Sequence, residues 1–136
     1  MAPERLMPST VARLLTPTYA TILNTHLVHP AESIVVKPNE LKSALVRPLQ
    51  IARYEPHRSE RYLAASLAYG IVKNHPFMDG NKRTGFLLGH MYLRAQGLPG
   101  LVTQDEDVTG IVDLFVGVAG GSVGLEDLSK TLERHP

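Results

Sequence analysis

Asn74-His75-Pro76-Phe77-Met78-Asp79-Gly80-Asn81-Lys82-Arg83-Thr84-Gly85 sets an imidazole, a carboxylate, an amide, two cations and two glycines between two apolar stretches. Upstream, residues 60–73 place Leu63, Leu67 and Ile71 at helical spacing, with Ala64, Ala65, Ala68 and Val72 on the other faces. Downstream, residues 84–96 carry Phe86, Leu87, Leu88, Met91, Tyr92 and Leu93. Both segments are apolar over most of their circumference, as central helices are. A polar cluster between two central helices is costly unless its groups are hydrogen-bonded or put to use.

The residue types in this stretch point to phosphate chemistry. Gly80 permits a tight turn, or a close approach of backbone to ligand. Asn81, Lys82 and Arg83 fall where the next helix begins, and a helix N-terminus offers free N–H groups and a partial positive charge to anions. Lys82 and Arg83 add full charges, and a guanidinium can grip phosphate through two hydrogen bonds. Asp79 is a single carboxylate beside this cradle, the usual setting for Mg²⁺, which completes its shell with water and phosphate oxygens. His75 supplies an imidazole, the side-chain type suited to the removal of a proton from a hydroxyl at neutral pH. Together they make a phosphoryl- or nucleotidyl-transfer site. Each residue also has an ordinary structural use. His75 can cap a helix or sit in a core, Asp79 can be an N-cap, Lys82 and Arg83 can be a solvated face, and Gly80 can serve the turn alone. Phe77 reads as an apolar wedge that holds the loop under either reading.

His75 to Thr84 resembles the signature of the Fic/Doc family, in its Doc (death-on-curing) branch. Leu41-Lys42-Ser43-Ala44-Leu45-Val46-Arg47-Pro48, Tyr54-Glu55-Pro56, the Ala-rich helix from Glu60 and His26 extend the likeness to about residues 16–134. The resemblance implies an all-α bundle and a transferase acting on protein hydroxyls with ATP and Mg²⁺. It makes His75 the base, Asp79 the metal ligand, and Gly80, Asn81, Lys82 and Arg83 the anion-binding residues. It also implies a flap over the cleft that docks the target chain, here Ile34, Val35, Val36 and Lys37. The flap departs from the Gly-rich, Arg-Asp-containing turn usual in Doc relatives.

Two reactions occur among such relatives. Fic-type AMP transferases have Gly where this chain has Lys82, and a second Arg, which holds the γ-phosphate, where it has Phe86. Doc relatives share both departures, bind ATP the other way round and phosphorylate a Thr of translation elongation factor Tu. The resemblance therefore implies a kinase-type toxin that blocks translation, with AMP transfer as the alternative. A small antitoxin is the expected partner. Self-inhibitory relatives carry Ser or Thr, three residues, Glu, then Gly or Asn. Ser122–Glu126 and Ser129–Glu133 have the spacing but continue with Asp127 and Arg134. Two further classes stay open: a metal hydrolase using His75, Asp79 and His90, and a binding module without catalysis.

Composition narrows the field. A chain of 136 residues reads as one domain, 1–136, with an N-terminal arm over residues 1–15. The net charge of +1 gives no global field for nucleic acid, and the absence of cysteine rules out disulfides and thiolate metal sites. No apolar run approaches the roughly 18–20 residues of a membrane span, and the Pro-containing N-terminus lacks the apolar core of a secretion signal. These features lead to the expectation of a cytoplasmic protein without a membrane partner.

The other elements follow from local signals. Residues 11–15 suggest a short helical turn. Thr16-Pro17 suggests a cap and first helical residue, opening a helix to about residue 27 that carries His26. Ile34-Val35-Val36 reads as a short strand. Asn39 suggests a cap for a short helix over residues 40–46, stopped by Pro48, with a connector over 48–59. Ser59 caps the central helix. Gly97 closes the helix after the motif. Thr103 to Glu106 forms a capping-box pattern for a helix to about residue 119, Gly120-Gly121 ends it, and a last helix covers residues 125–134. The expected architecture is all-α, a bundle of about six helices with His75 to Lys82 at the mouth between two central ones.

Overall fold

The computed structural model describes residues 9–102 and 109–133. Its helices are α1 (Ser9–Leu14), α2 (Pro17–Val28), α3 (Pro38–Tyr54), α4 (Glu60–Asn74), α5 (Asn81–Arg94), α6 (Thr109–Gly120) and α7 (Leu125–Glu133). Helix α4 is the axis, and α3, α5, α6 and α7 all pack on it. Leu63, Leu67, Ala68, Ile71 and Val72 are fully buried. The small residues predicted on its other faces explain how several helices reach it. A Cβ added at Gly85 of α5 would lie 2.8 Å from Val72 Cγ2 and 3.0 Å from the Ala68 carbonyl oxygen. The α4–α5 pair therefore packs nearly backbone to backbone at that point.

The local caps form as expected. Thr16 Oγ1 accepts the Tyr19 N–H at 3.2 Å, with Pro17 at the first helical position. Ser59 Oγ accepts the Tyr62 N–H at 3.0 Å and starts α4. Gly97 takes a positive φ of 76°, and the Leu98 N–H reaches back to the Leu93 carbonyl at 3.2 Å to close α5.

The seven described helices agree with the expected all-α bundle of about six, and the short helical turn expected over residues 11–15 is α1, a separate helix whose Val11 joins the core along with Leu15. Two expectations are corrected. Helix α3 does not stop before Pro48: it continues through it to Tyr54, so much of the expected connector is helical. The ring removes one backbone hydrogen bond, at a cost of about 3 kcal/mol. Against that, Leu41, Ala44, Leu45, Pro48 and Ile51 form one buried stripe. Each large apolar side chain buried there contributes about 1.5–3 kcal/mol, and the stripe continues only if the helix does. Finally, Ile34 to Val36 form no regular strand. Val35 makes a single antiparallel bridge with Phe77. The capping box at Thr103 to Glu106 and the end of the last helix at Arg134 lie outside the described residues. Among the described residues, no helix is long and apolar enough to cross a membrane.

Candidate active site

Helix α4 ends at His75, which enters the left-handed region (φ 50°, ψ 57°) while its N–H still bonds the Ile71 carbonyl at 3.2 Å. That reversal sends the chain across the bundle instead of onward. The imidazole is exposed and makes no hydrogen bond to another described residue. The flap then fixes the loop from one side. The Val36 and Lys37 N–H groups donate to the Pro76 carbonyl at 2.8 and 3.1 Å, and the Met78 N–H donates to the Ile34 carbonyl at 2.8 Å. Lys37 Nζ reaches the Asn74 carbonyl at 3.2 Å, at the negative end of α4. The four flap residues are thus bound to the motif itself.

From the other side the loop is held by Asn81. Its Oδ1 accepts the Phe77 N–H at 3.0 Å and its Nδ2 donates to the Phe77 carbonyl at 2.8 Å. Phe77 is buried and acts as the expected wedge. The Asn81 amide is therefore committed to the loop backbone, and what Asn81 offers an anion is its backbone N–H. The first-turn N–H groups of Asn81, Lys82 and Arg83 have no carbonyl four residues back within α5. The side chains of Lys82 and Arg83 are exposed beside them. Arg83 Nη1 donates to the Leu27 carbonyl at 2.7 Å, which aims the guanidinium from the end of α2.

Gly80 is required by the turn and by the space. Its φ is 78°, and an added Cβ would lie 2.7 Å from Val28 Cγ1 and 3.0 Å from Asn24 Nδ2. Asp79 is exposed, and its Oδ1 accepts the Gly80 N–H at 2.7 Å, leaving the outer oxygen for a ligand. A lone carboxylate beside an anion cradle fits Mg²⁺ bound jointly with phosphate. Among the described residues, no three His, Asp or Glu side chains gather as an all-protein metal site would need.

Asn24 is the residue the sequence reading missed. It is buried in α2, and its Nδ2 donates to the Asp79 carbonyl at 2.8 Å and to Thr84 Oγ1 at 3.1 Å. Its Oδ1 accepts from Ser33 Oγ at 2.6 Å. One amide therefore joins α2, the motif loop, α5 and the start of the flap. The signal was present: Ala20, Asn24 and Val28 form the buried stripe of α2 at four-residue spacing, and a polar residue on such a stripe needs a partner. His26, which the resemblance includes, is exposed.

Beside the cradle opens an apolar cavity of about 450 Å³. Lys82 and Arg83 stand at its charged end, and Phe86, Val112 and Phe115 are among its apolar walls. Phe86 meets Phe115 edge to face, with centroids 5.6 Å apart, and stacks on His90 at 6.0 Å. His90 lies about 13 Å along α5 from Asn81. Its Nδ1 accepts the Leu101 N–H at 3.1 Å, so it supports a loop and is not placed with His75 and Asp79 as a hydrolase would require. Burial, and secondarily Arg94, lower its pKa below the ordinary value.

Neither candidate inhibitory glutamate faces this site. Glu126 Oε1 accepts from the Tyr62 hydroxyl at 3.1 Å, and Glu133 Oε1 accepts from Ser59 Oγ at 2.7 Å. Both hydroxyls belong to the start of α4, about 20 Å along the axis from His75. The model of the Fic/DOC family matches residues 11–93, from α1 to the last turn of α5, with the whole motif inside the match. No curated protein matches the sequence.

Proposed function

Because the chain belongs to the Fic/DOC family, whose members are typically transferases and generally use a nucleotide and Mg²⁺, we propose that it moves the γ-phosphate of ATP to a Ser or Thr hydroxyl of a protein, in the manner of the Doc branch. The observation that carries the choice of phosphate over AMP is Phe86. It stands where AMP transferases hold the terminal phosphate, and its ring is part of an apolar wall with Phe115. AMP transfer would lay the β- and γ-phosphates along that wall without a cation. The missing charge-assisted hydrogen bond alone is worth about 1.5–3 kcal/mol. The reverse orientation puts the nucleoside in the apolar cavity, whose volume of about 450 Å³ is within the range of small-molecule sites. The γ-phosphate then meets the charged end.

In that orientation the α5 N-terminus, Lys82 and Arg83 hold the oxygens of the transferred group, and their charge is already in place when the transition state forms. His75 takes the proton of the attacking hydroxyl. A bond forms between the hydroxyl oxygen and the γ-phosphorus, the bridge to the β-phosphate breaks, and ADP leaves. Mg²⁺ held by Asp79 would neutralise charge on the phosphates. Asn24, Asn81 and Phe77 keep His75, Asp79 and the cradle in register. The substrate we favour is a translation factor of the elongation factor Tu type, in the cytoplasm, with toxicity restrained by a separate antitoxin. The remote positions of Glu126 and Glu133 support a separate inhibitor. ATP labelled at the α or γ position tests the reaction. Label is expected on the target from γ only, with ADP as co-product, whereas label from α with release of pyrophosphate would establish AMP transfer.

A further inference from the structure

Helices α3 and α4 approach closely at Ala44 and Gly70, where an added Cβ on the glycine would lie 2.9 Å from Ala44 Cβ. Beside that contact lies a cavity of about 140 Å³ between Ser43 and Arg47 of α3 and Tyr69 and Asn74 of α4. Ser43 and Arg47 also line an outer hollow of about 380 Å³, with Lys42 and Gln50. The two spaces share Ser43 and Arg47 as lining and are together termed the trough; Asn74, the residue before His75, lines its inner part. Helix α5, which carries the phosphate cradle, packs on α4 separately from α3.

The chemistry of the trough is one-sided. Lys42 and Arg47 line it and no acidic side chain does; Glu40 of α3 is not among the lining residues. The side chains of Arg47, Tyr69 and Asn74 make no hydrogen bond or ion pair to another described residue. By contrast, Arg58, Arg61 and Arg83 are each held by a carboxylate or carbonyl. An unpaired guanidinium beside a phenol and an amide is a ready receptor for a carboxylate.

We propose that this trough docks an acidic stretch of the substrate protein, with Arg47 reading its carboxylates while the acceptor hydroxyl lies at His75. The role rests on the transferase reading; the binding itself does not. The geometry limits the spacing. Ser66 of α4 lines the inner cavity with Arg47, and from Asn74 back to Ser66 is about 12 Å along α4, which an extended peptide covers in about four residues. The Asp or Glu therefore lies about three to five residues from the acceptor.

A fluorescein-labelled dodecapeptide tests this, with one Thr and Glu residues three to five positions away on both sides. A counterpart with Lys at those positions is the control. By anisotropy, the full chain should bind the acidic peptide at least tenfold more tightly than the basic one. Arg47→Glu should lose at least tenfold, Arg47→Lys should lose less, and ATP binding by calorimetry should be unchanged in both. Arg47 is exposed, so a thermal melt should show the fold intact, and Arg47→Gln gives a second, milder loss. Equal binding of the two peptides by the wild type, or undiminished binding by Arg47→Glu, overturns the proposal. A phosphoryl-transfer assay on the acidic peptide keeps the two readings apart. Arg47→Glu should raise KM about tenfold and leave kcat within about twofold, whereas an unchanged KM overturns docking. Binding that depends on Arg47 without transfer of label would uphold docking and reject the kinase.

Discussion

His75 occupies a backbone conformation that glycine adopts more easily than any other residue. Its φ of 50° is the only positive value at a non-glycine among the described residues. A left-handed turn costs a residue with a Cβ about 1–2 kcal/mol. Retention of an imidazole there is therefore a reason to seek its use in chemistry rather than in the cap. His75→Gly separates the two roles. The side chain has no described partner to lose, and relief of the turn is partly offset by the freer unfolded chain. The melting temperature should stay level or rise, corresponding to a gain of up to about 1 kcal/mol, while transfer falls about 10²–10⁴-fold. A large drop in melting temperature would make His75 a structural cap. Gly80 meets the same turn geometry from the other side: there the space is closed as well, by Val28 and Asn24.

Contacts between elements decide the next scale. The α3–α4 crossing at Ala44 and Gly70 is limited by a Cβ fixed to backbone, which cannot rotate away. Gly70→Ala would gain about 1 kcal/mol of helix propensity, yet the overpacking should cost about 1–3 kcal/mol. A net loss in urea unfolding is expected, and a net gain would show that the two helices separate easily. At the other end of α5, His90 ties the loop at Leu101 by accepting its N–H at Nδ1. Protonation removes that acceptor. The pKa in the folded chain is lowered by burial and then by Arg94, so the unfolded chain binds the proton more tightly. The contribution of His90 is therefore fully present above about pH 6.5 and is lost as pH falls from there toward the folded value. Stability measured from pH 8 to pH 5 should fall less steeply in His90→Gln than in the wild type. Parallel curves would mean that His90 does not contribute to the acid response.

At the scale of the whole molecule, the cradle, the cavity and the flap meet where three chain segments converge on the end of α4. Ligand binding there should stabilise the entire fold, since the unfolded chain has no such site. At a hundredfold excess over Kd the gain is about 2.7 kcal/mol. We expect MgATP to raise the melting temperature more than ATP without metal. In Asp79→Ala the Mg²⁺-dependent part of that rise should disappear while the metal-free part remains. An undiminished Mg²⁺ effect in the variant would mean that Asp79 only caps the Gly80 N–H. The exposed side chain of Asp79 makes its own hydrogen bond only to the adjacent residue, so the unliganded melting temperature should change little.

Local chemistry alone determined the central pair of helices, their caps at Ser59 and Gly97, and the grouping of His75, Asp79, Gly80, Lys82 and Arg83. Periodicity, capping and motif spacing act over a few residues, and sequence displays them directly. Only the tertiary structure decided that Pro48 stays inside α3, because the outcome depends on a stripe packed against α4. Only it joined Asn24 to Asp79 and Thr84, committed the Asn81 amide to Phe77, and bound the flap to Pro76 and Met78. Those partners are brought together by burial of apolar faces elsewhere in the chain, and a buried polar group takes whichever partner the packing brings within reach.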